Sequence, residues 1–202
     1  MTRDNDIPDL FILNDKYVRL KDVIAIPEGT RTELDMGCGA GDFAVALAKA
    51  NPETLVLASD IMLGRLRKTA KKRARAGAER NLKLLRVESR HLTARILPDE
   101  SIDRIHLLCP DPWPKGRHKA HRLLSSDFMA QLARVLKPCG VFHFSTDDVP
   151  YLELATKNLR ESGLFQEIGK EAIADVSDFK TAFELQWLAE GKTVAHVAWR
   201  KI

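Results

Sequence analysis

Short apolar segments alternate with longer amphipathic segments along most of this chain, and this alternation is the feature that most restricts its fold. The pattern predicts strands at residues 32–36, 55–59, 82–87, 102–109 and 141–145. It predicts helices at 42–50, 63–76, 125 or 126 to 136, and 150–162. Strands and helices alternating at this spacing favour an α/β fold with a mainly parallel, doubly wound sheet.

The two ends of the chain carry weaker signals. Residues 10–13 and 17–20 could be short strands or belong to an N-terminal arm over residues 1–30, and the sequence selects neither. Residues 193–200 predict a terminal strand, which we expect to be antiparallel and to lie at a sheet edge or in a hairpin. Residues 165–180 show no recognisable pattern. The length of 202 residues suits a single domain over residues 1–202.

Composition restricts the class of protein and its compartment. Hydrophobic residues make up 45% and charged residues 30% of the chain, as in soluble globular proteins. No apolar run reaches membrane-spanning length and the first residues are too polar for a signal peptide, so we expect a cytoplasmic protein without a membrane partner. Cys38, Cys109 and Cys139 show neither CxxC pairing nor metal-ligand spacing, which predicts no metal site. The net charge of +4 suggests a polyanionic partner.

A proline-rich segment follows the strand predicted at 102–109. Pro110, Pro112 and Pro114 exclude a helix and impose a stiff, extended turn around Asp111. Because open α/β sheets bind ligands at the carboxyl ends of their strands, we expect Asp111 at a functional site. The basic side chains that follow are Lys115, Arg117, Lys119 and Arg122. Their natural role is to contact phosphate groups of a substrate, beside the group on which the site acts.

A glycine-rich turn joins the strand at 32–36 to the next helix. Gly37, Gly39 and Gly41 stand at alternate positions, which permits a tight turn and a close approach of backbone N–H groups to a ligand. A dinucleotide site would place its third glycine one residue later. Two acids, Glu33 and Asp35, precede the turn, and acids suit a ligand that carries an ammonium and a sulfonium.

Two further acids follow the next two strands. Asp60 is placed to accept hydrogen bonds from ribose hydroxyls, and Glu88 follows the strand at 82–87. With the glycine turn, this arrangement resembles the S-adenosyl-L-methionine site of class I methyltransferases over residues 31–145. The resemblance implies a Rossmann-like fold and a cofactor contacted by Glu33, Asp35, Gly37, Gly39, Gly41, Asp60 and Glu88. Whether Glu33 or Asp35 holds the methionine ammonium stays open, and Glu88 could equally be an exposed acid at a strand end.

Three motifs resemble, in order, those of the tRNA (guanine-N7)-methyltransferases. They are the segment from Pro110 to Arg122, the sequence Ser145-Thr146-Asp147, and the sequence Thr181-Ala182-Phe183-Glu184. The resemblance covers residues 33–199 and implies methylation of the variable-loop guanine, position 46, of tRNA. It further implies that Asp111 is the central catalytic acid and also contacts the cofactor, while Lys115, Asp147, Thr181, Phe183 and Glu184 meet the substrate.

The chemistry of guanine N7 fits these residue types. N7 carries no proton in the neutral base, so its methylation requires no general base. The enzyme must align N7 with the methyl group and supply negative potential, because the purine gains positive charge. The N1–H and N2–H₂ edge of guanine donates hydrogen bonds, and the candidate acceptors are Asp111, Asp147 and Glu184.

Several alternatives remain open. The cations of the helix at 63–76 favour a solvated face slightly over a tRNA footprint, which would add salt-dependent affinity. The protein could instead methylate another RNA or a small molecule, or be a catalytically silent tRNA-binding subunit with the same fold. The sequence is compatible with a monomer or a homodimer, and with a requirement for an accessory protein.

Overall fold

The computed structural model describes residues 7–13, 18–112 and 123–202. The strands in this part of the chain are β1 (Leu10–Ile12), β2 (Thr32–Met36), β3 (Leu55–Asp60), β4 (Leu82–Arg86), β5 (Ile102–Leu108), β6 (Leu136–Thr146), β7 (Phe165–Ile168) and β8 (Ala195–Lys201). The helices are α1 (Asp42–Ala50), α2 (Leu63–Ala76), α3 (Ser89–His91), α4 (Ser126–Val135), α5 (Val149–Glu161) and α6 (Ala182–Ala189). A π-helical turn at Leu92–Ile96 continues α3, and 3-10 helices occupy Leu20–Asp22 and Lys170–Val176.

The described strands form one sheet in the order β1-β4-β3-β2-β5-β6-β8-β7. β8 runs antiparallel to both of its neighbours, β6 and β7, whereas the other neighbouring strands are parallel. The predicted mainly parallel, doubly wound sheet with an antiparallel C-terminal strand is therefore confirmed.

Both faces of the sheet are covered, as parallel sheets require. Every residue of β2 and β3 is buried. On one face, Leu47 of α1 and Leu66 of α2 belong to an apolar cluster that also includes Ile173 of the second 3-10 helix. On the other face, Phe128 of α4 and Leu159 of α5 belong to a second cluster. Complete burial of such a side chain contributes about 1.5–3 kcal/mol relative to exposure.

The order of the strands fixes the position of a ligand crevice. The chain proceeds from β2 outward to β3 and β4, and then returns to place β5 and β6 on the opposite side of β2. Ligands of open α/β sheets bind at the carboxyl ends of the strands where this reversal occurs. The glycine turn follows β2 and the proline-rich turn follows β5, so both predicted motifs begin at this crevice.

Three differences from the predicted elements have physical causes. The last strand does not lie at a sheet edge, because β8 lies between β6 and β7; it pairs antiparallel with β7, the strand before it, which agrees with the hairpin alternative. The edge strand β7 went unpredicted because only Phe165 of its four residues is buried. β6 begins at Leu136, five residues before the predicted start, and its pairing with β5 shifts register between Ile102 and Arg104.

The N-terminal residues contribute a strand to the sheet. β1 pairs in parallel with β4, with Leu10 opposite Leu84. Among the described residues, no helix is both long enough and apolar enough to cross a membrane. The single domain over residues 1–202 stays a prediction.

Candidate active site

A cavity of about 460 Å³ opens at the carboxyl ends of β2 and β5. The predicted site residues that line it are Asp35, Gly37, Gly39, Asp111, Thr181 and Phe183. The glycine turn, the proline-rich turn and the start of α6 thus meet around one space, although they lie far apart in the sequence. Asp111 is solvent-exposed at this cavity.

Backbone geometry and close packing explain the three glycines. Gly37, Gly39 and Gly41 have φ values of 76°, 57° and 79°, a region that side chains with a Cβ rarely adopt. A Cβ on Gly41 would lie 2.2 Å from Cγ2 of Thr69 in α2. The backbone N–H groups of Gly37 and Cys38 both donate to the Ser59 carbonyl, at 2.8 Å, which fixes the turn against the end of β3.

Asp60 lies at the end of β3 and holds the surrounding backbone. Its Oδ2 accepts a hydrogen bond from the Gly39 N–H at 3.1 Å, and its Oδ1 accepts one from the Met62 N–H at 2.7 Å. The carboxylate is buried, and Arg65 of α2 lies 3.4 Å from Oδ2. Asp60 therefore stabilises the glycine turn through its hydrogen bond with Gly39. It is not among the residues that line the cavity.

Asp35 is a buried acid at the cavity. Its side chain is only 2% exposed, and Oδ2 has no hydrogen-bond partner within the described residues. Burial, together with the negative charge of Asp60, raises the pKa of Asp35 to about 7, although a hydrogen bond from the Ala44 backbone acts in the opposite direction. An unpartnered carboxylate oxygen beside a cavity is a site for a cationic group.

Glu33 lies on the same face of β2, but the structure does not bring it to the cavity. Arg104 donates to Oε1 from Nη2 at 3.0 Å and to Oε2 from Nε at 2.9 Å, and Arg31 donates to Oε1 at 2.7 Å. His106 Nε2 lies 2.9 Å from Oε2. Burial alone would raise the pKa of Glu33, but hydrogen bonds from His106 and Arg104, together with the charge of Arg104, hold it well below its usual range. Both oxygens are thus used inside the protein.

Glu88, like Glu33, uses its carboxylate for hydrogen bonds within the protein. It is the N-terminal cap of α3, where its carboxylate accepts hydrogen bonds from the Arg90 and His91 N–H groups at 2.9 and 2.8 Å. Glu88 lines a smaller depression together with Ile61, whereas its neighbour Ser89 lines the main cavity.

The segment with Thr181 and Glu184 forms the other wall of the site. Thr181 caps α6, where its hydroxyl oxygen accepts the Glu184 N–H at 3.0 Å. Glu184 is 2% exposed, and its Oε1 lies 2.8 Å from Lys180 Nζ and 3.0 Å from His196 Nε2. Its Oε2 is buried without a partner in the described part of the chain. Phe183 is 47% exposed, and its ring centroid lies 5.9 Å from that of Trp187.

Cys109 lies at the cavity and contacts the end of β6. It follows β5 with a φ of 52°, and its Sγ lies 3.6 Å from the Ser145 hydroxyl. Burial raises the pKa of the Cys109 thiol, and the negative charges of Glu184 and Asp147 act in the same direction. Asp147, which is half-buried after β6, and Glu184 thus act on Cys109 through their charge, although neither lines the cavity directly.

The structure describes one of the two basic regions of the sequence, the helix α2. The predicted substrate residues Lys115, Arg117, Lys119 and Arg122 lie outside the described residues. In α2, Arg65 and Lys68 line the cavity. The part of α2 that carries Arg65 and Lys68 therefore lies at the cavity and not on a remote surface.

Comparison with known proteins agrees with this geometry. A family model described as "Putative methyltransferase" matches residues 30–197. The tRNA (guanine-N(7)-)-methyltransferase of Syntrophotalea carbinolica is 32% identical over 170 residues, covering 83% of this chain and 73% of the relative. That of Geobacter metallireducens is 32% identical over 171 residues, covering 83% of this chain and 81% of the relative.

The chain belongs to the tRNA (guanine-N(7)-)-methyltransferase family. The predicted resemblance is thereby confirmed, and the protein is an enzyme of methyl transfer.

Solved structures show the fold of this family member. A crystal structure of the 16S rRNA methyltransferase KamB matches with a TM-score of 0.60 at 20% identity, covering 92% of this chain and 98% of that chain. The structure of TrmN from Thermus thermophilus matches with a TM-score of 0.59 at 20% identity, covering 85% of this chain and 44% of that chain. The Rossmann-like class I methyltransferase fold is therefore confirmed.

Sequence reasoning missed several residues at the site of this methyltransferase. Ser89, Cys109 and Trp187 line the cavity, and His196 contacts Glu184 beside it. Cys109 could have been recognised, because it stands at the end of a predicted strand directly before the proline-rich turn. His196 carries no such signal, because its contact with α6 depends on the position of β8 in the sheet.

Proposed function

We propose that the protein transfers a methyl group from S-adenosyl-L-methionine to N7 of the variable-loop guanine, position 46, of tRNA. Membership of the family supports the reaction. The observation that carries the proposal is that the glycine turn and Asp111 line one cavity. A cofactor at the turn and a base at Asp111 would therefore be neighbours, as direct transfer between them requires.

The residues at the glycine turn fit the cofactor. Asp35 Oδ2 is a buried oxygen without a partner in the described structure, and an ammonium group would supply the missing charge and hydrogen bond. We assign this role to Asp35 and not to Glu33, whose two oxygens already accept hydrogen bonds from Arg31 and Arg104. Asp60 and Glu88 stay predicted contacts of the ribose and the adenine, although both oxygens of each carboxylate already accept backbone hydrogen bonds.

The residues at the substrate end position guanine. When bound, S-adenosyl-L-methionine supplies a methyl group on a sulfonium centre. Asp111 provides negative potential where the purine gains positive charge and holds the base in line with that methyl group. Thr181 and Phe183 form the wall of the cavity, and the half-exposed Phe183 ring offers a surface for stacking. Asp147 and Glu184, which lie beside the cavity without lining it, are proposed as acceptors for the donor edge of guanine.

Cations around the cavity suit the phosphate groups of tRNA. Arg65 and Lys68 lie at the cavity itself, and Lys71 and Arg75 continue the exposed basic face of α2. Lys115, Arg117, Lys119 and Arg122 are proposed to contribute further phosphate contacts. We also propose a cytoplasmic location and a monomeric or homodimeric state, with or without an accessory protein.

Nucleoside analysis tests the proposed function. The purified protein is incubated with S-adenosyl-L-methionine and an unmodified tRNA transcript that carries guanine at position 46, and the digested product is analysed by mass spectrometry. We expect 7-methylguanosine from this transcript and none from a matched transcript with adenine at position 46. Equal methylation of both transcripts would indicate a different target. Binding of tRNA without methylation would indicate a silent subunit.

Substitution of Asp111 tests its assigned role. Asp111→Ala should lower kcat/KM for tRNA by about a hundredfold or more, as for loss of an electrostatic contact in a transition state. The dissociation constant for the cofactor should change far less. Asp127→Ala, which removes an exposed acid at the start of α4, is the matched control and should retain activity. Normal turnover by Asp111→Ala would refute the assignment.

A further inference from the structure

Three histidines form an unbroken line of hydrogen bonds across the sheet, from Glu33 of β2 to Glu184 of α6. Glu33 Oε2 lies 2.9 Å from His106 Nε2, and His106 Nδ1 lies 3.0 Å from His143 Nδ1. His143 Nε2 then lies 2.9 Å from His196 Nδ1, and His196 Nε2 lies 3.0 Å from Glu184 Oε1. We refer to His106, His143 and His196 as the histidine chain.

The number of hydrogen bonds in this line exceeds the number of protons that neutral histidines carry. Four contacts of hydrogen-bond length need four hydrogens, and each neutral imidazole supplies only one. The carboxylates at the two ends supply none while they are ionised. With three neutral histidines, one contact would therefore bring two acceptors together. One additional proton on the histidine chain satisfies all four contacts.

The surroundings of each residue indicate where this proton resides. The pKa of His106 is lowered by burial and by the charge of Arg104, although Glu33 and Asp175 act in the opposite direction. Burial lowers the pKa of His143 further, and the adjacent His106 and His196 add to the effect. Protonation of either ring is thus disfavoured.

His196 has the environment that suits a cation. Its side chain is 21% exposed, and it contacts the buried carboxylate of Glu184. Burial alone would raise the pKa of Glu184, but hydrogen bonds from His196 and Lys180 outweigh it and hold this pKa below its usual range. The groups that face His196 are His143 from β6 and Glu184 from α6, with Lys180 on the other side of the same carboxylate oxygen.

We propose that His196 is protonated and acts as a positioning residue for Glu184. Imidazolium His196 and Lys180 both hold Oε1, so that the carboxylate stays ionised and Oε2, which is buried and has no partner in the described structure, is left as the acceptor for substrate. This role of Glu184 rests on the proposed function, in which Glu184 accepts hydrogen bonds from guanine.

The arrangement fixes every hydrogen in the line. His196 donates from Nε2 to Glu184 and from Nδ1 to His143 Nε2. His143 is then neutral and donates from Nδ1 to His106 Nδ1, and His106 donates from Nε2 to Glu33. Loss of the additional proton to solvent leaves two acceptors facing each other, at 3.0 Å if the broken contact is the one to Glu184. Glu184 then loses one of the two cations that orient it.

The protonation states can be measured without any assay of function. The ¹⁵N NMR spectrum of protein labelled at histidine should show His196 protonated at both nitrogens. His143 should be protonated only at Nδ1 and His106 only at Nε2. Three neutral rings, or an imidazolium at His106, would overturn the proposal. This result does not depend on whether the protein methylates tRNA.

The positioning role is tested with two variants of His196. His196→Gln keeps a neutral donor near Glu184 but cannot carry charge, and His196→Leu removes both. We expect the KM for tRNA to rise about tenfold in His196→Gln, as for replacement of a charged donor by a neutral one, and further in His196→Leu, which loses the hydrogen bond. The dissociation constant for S-adenosyl-L-methionine should be unchanged in both variants.

The pH profile separates positioning from a merely structural role. In the unmodified protein, the KM for tRNA should increase as the histidine chain loses its additional proton, and this dependence should be absent from His196→Gln. A wild-type KM and pH profile in His196→Gln would overturn the positioning role while leaving the proposed function intact. Absence of 7-methylguanosine in every variant would instead count against the proposed function, and the NMR result would still decide the protonation of His196.

Discussion

The raised pKa of Asp35 predicts that cofactor affinity depends on pH below neutrality. Only the ionised carboxylate attracts the ammonium of S-adenosyl-L-methionine, and this form is lost as pH falls through the pKa. With a pKa of about 7, Asp35 is about half ionised at pH 7 and about 3% ionised at pH 5.5. The apparent dissociation constant should therefore rise about fifteenfold between these pH values, equivalent to about 1.6 kcal/mol.

Calorimetry measures this coupling directly. The α-amino group of the ligand, with an ordinary pKa near 7.7–8.0, stays largely protonated below pH 7, so the change reports on the protein. Titrations at pH 6 in two buffers of different ionisation enthalpy should show release of about nine-tenths of a proton per cofactor bound. Asp35→Asn should bind more weakly and should release no proton. An affinity independent of pH, or an unchanged slope in Asp35→Asn, would refute the reasoning.

Glu33→Gln is the matched control for this experiment. Glu33 lies two residues earlier on the same face of β2, but its pKa is held well below the usual range, so Glu33 stays ionised throughout the pH interval. The variant should keep the pH dependence of cofactor binding. If the dependence disappeared in Glu33→Gln and persisted in Asp35→Asn, Glu33 would be the partner of the ammonium.

The same pKa has a consequence for stability without ligand. Moving the pKa of a carboxyl from 3.8 to about 7 corresponds to about 4 kcal/mol, which the folded protein loses as pH rises from 4 to above 7. Asp35→Asn should therefore increase the free energy of unfolding at pH 8 by up to about this amount, as measured by urea denaturation. No increase would show that the buried charge is compensated.

Three further perturbations test other parts of the site. Gly41→Ala should lower the free energy of unfolding by about 3 kcal/mol, because its Cβ meets Thr69 at 2.2 Å and its φ is positive, and adding Thr69→Ala should recover only the steric part. Lys68→Ala should reduce the salt dependence of tRNA binding by about one phosphate contact, whereas Lys157→Ala on α5 should not; equal slopes would make Lys68 a solvated side chain. Thr181→Val should lower stability by about 1 kcal/mol in thermal unfolding, and Thr181→Ser should not, since serine keeps the cap of α6.

Helix boundaries were predicted correctly where a residue next to the helix marks its start or its end. The observed bounds of α1 and α2, Asp42–Ala50 and Leu63–Ala76, coincide with the predicted ones. Glycine in the left-handed conformation stands directly before α1 and directly after α2, so one boundary of each helix is encoded by a single residue. β7 has no comparable signal, because it is short and exposed along most of its length.

The site was predictable where its residues follow strands. Asp111 and the glycine turn were each expected at the carboxyl end of a strand, where open α/β sheets bind ligands, and they line one cavity. The histidine chain was not predictable, because His106, His143 and His196 come from three strands that become neighbours only when β8 inserts beside β6. A histidine in an apolar strand indicates nothing until its cross-strand neighbours are known.

Glu33 and Asp35 show why sequence left the cofactor contact undecided. Both are acids in one strand, on one face, and nothing local distinguishes them. The difference comes from β5: Arg104, 71 positions after Glu33, donates to both of its oxygens. The residue opposite Asp35 is His106, which is already bonded to Glu33 and His143, so Asp35 Oδ2 receives no partner from the described chain. Glu33 therefore uses both oxygens in hydrogen bonds within the protein, whereas Asp35 keeps a buried oxygen with which a cationic ligand can pair.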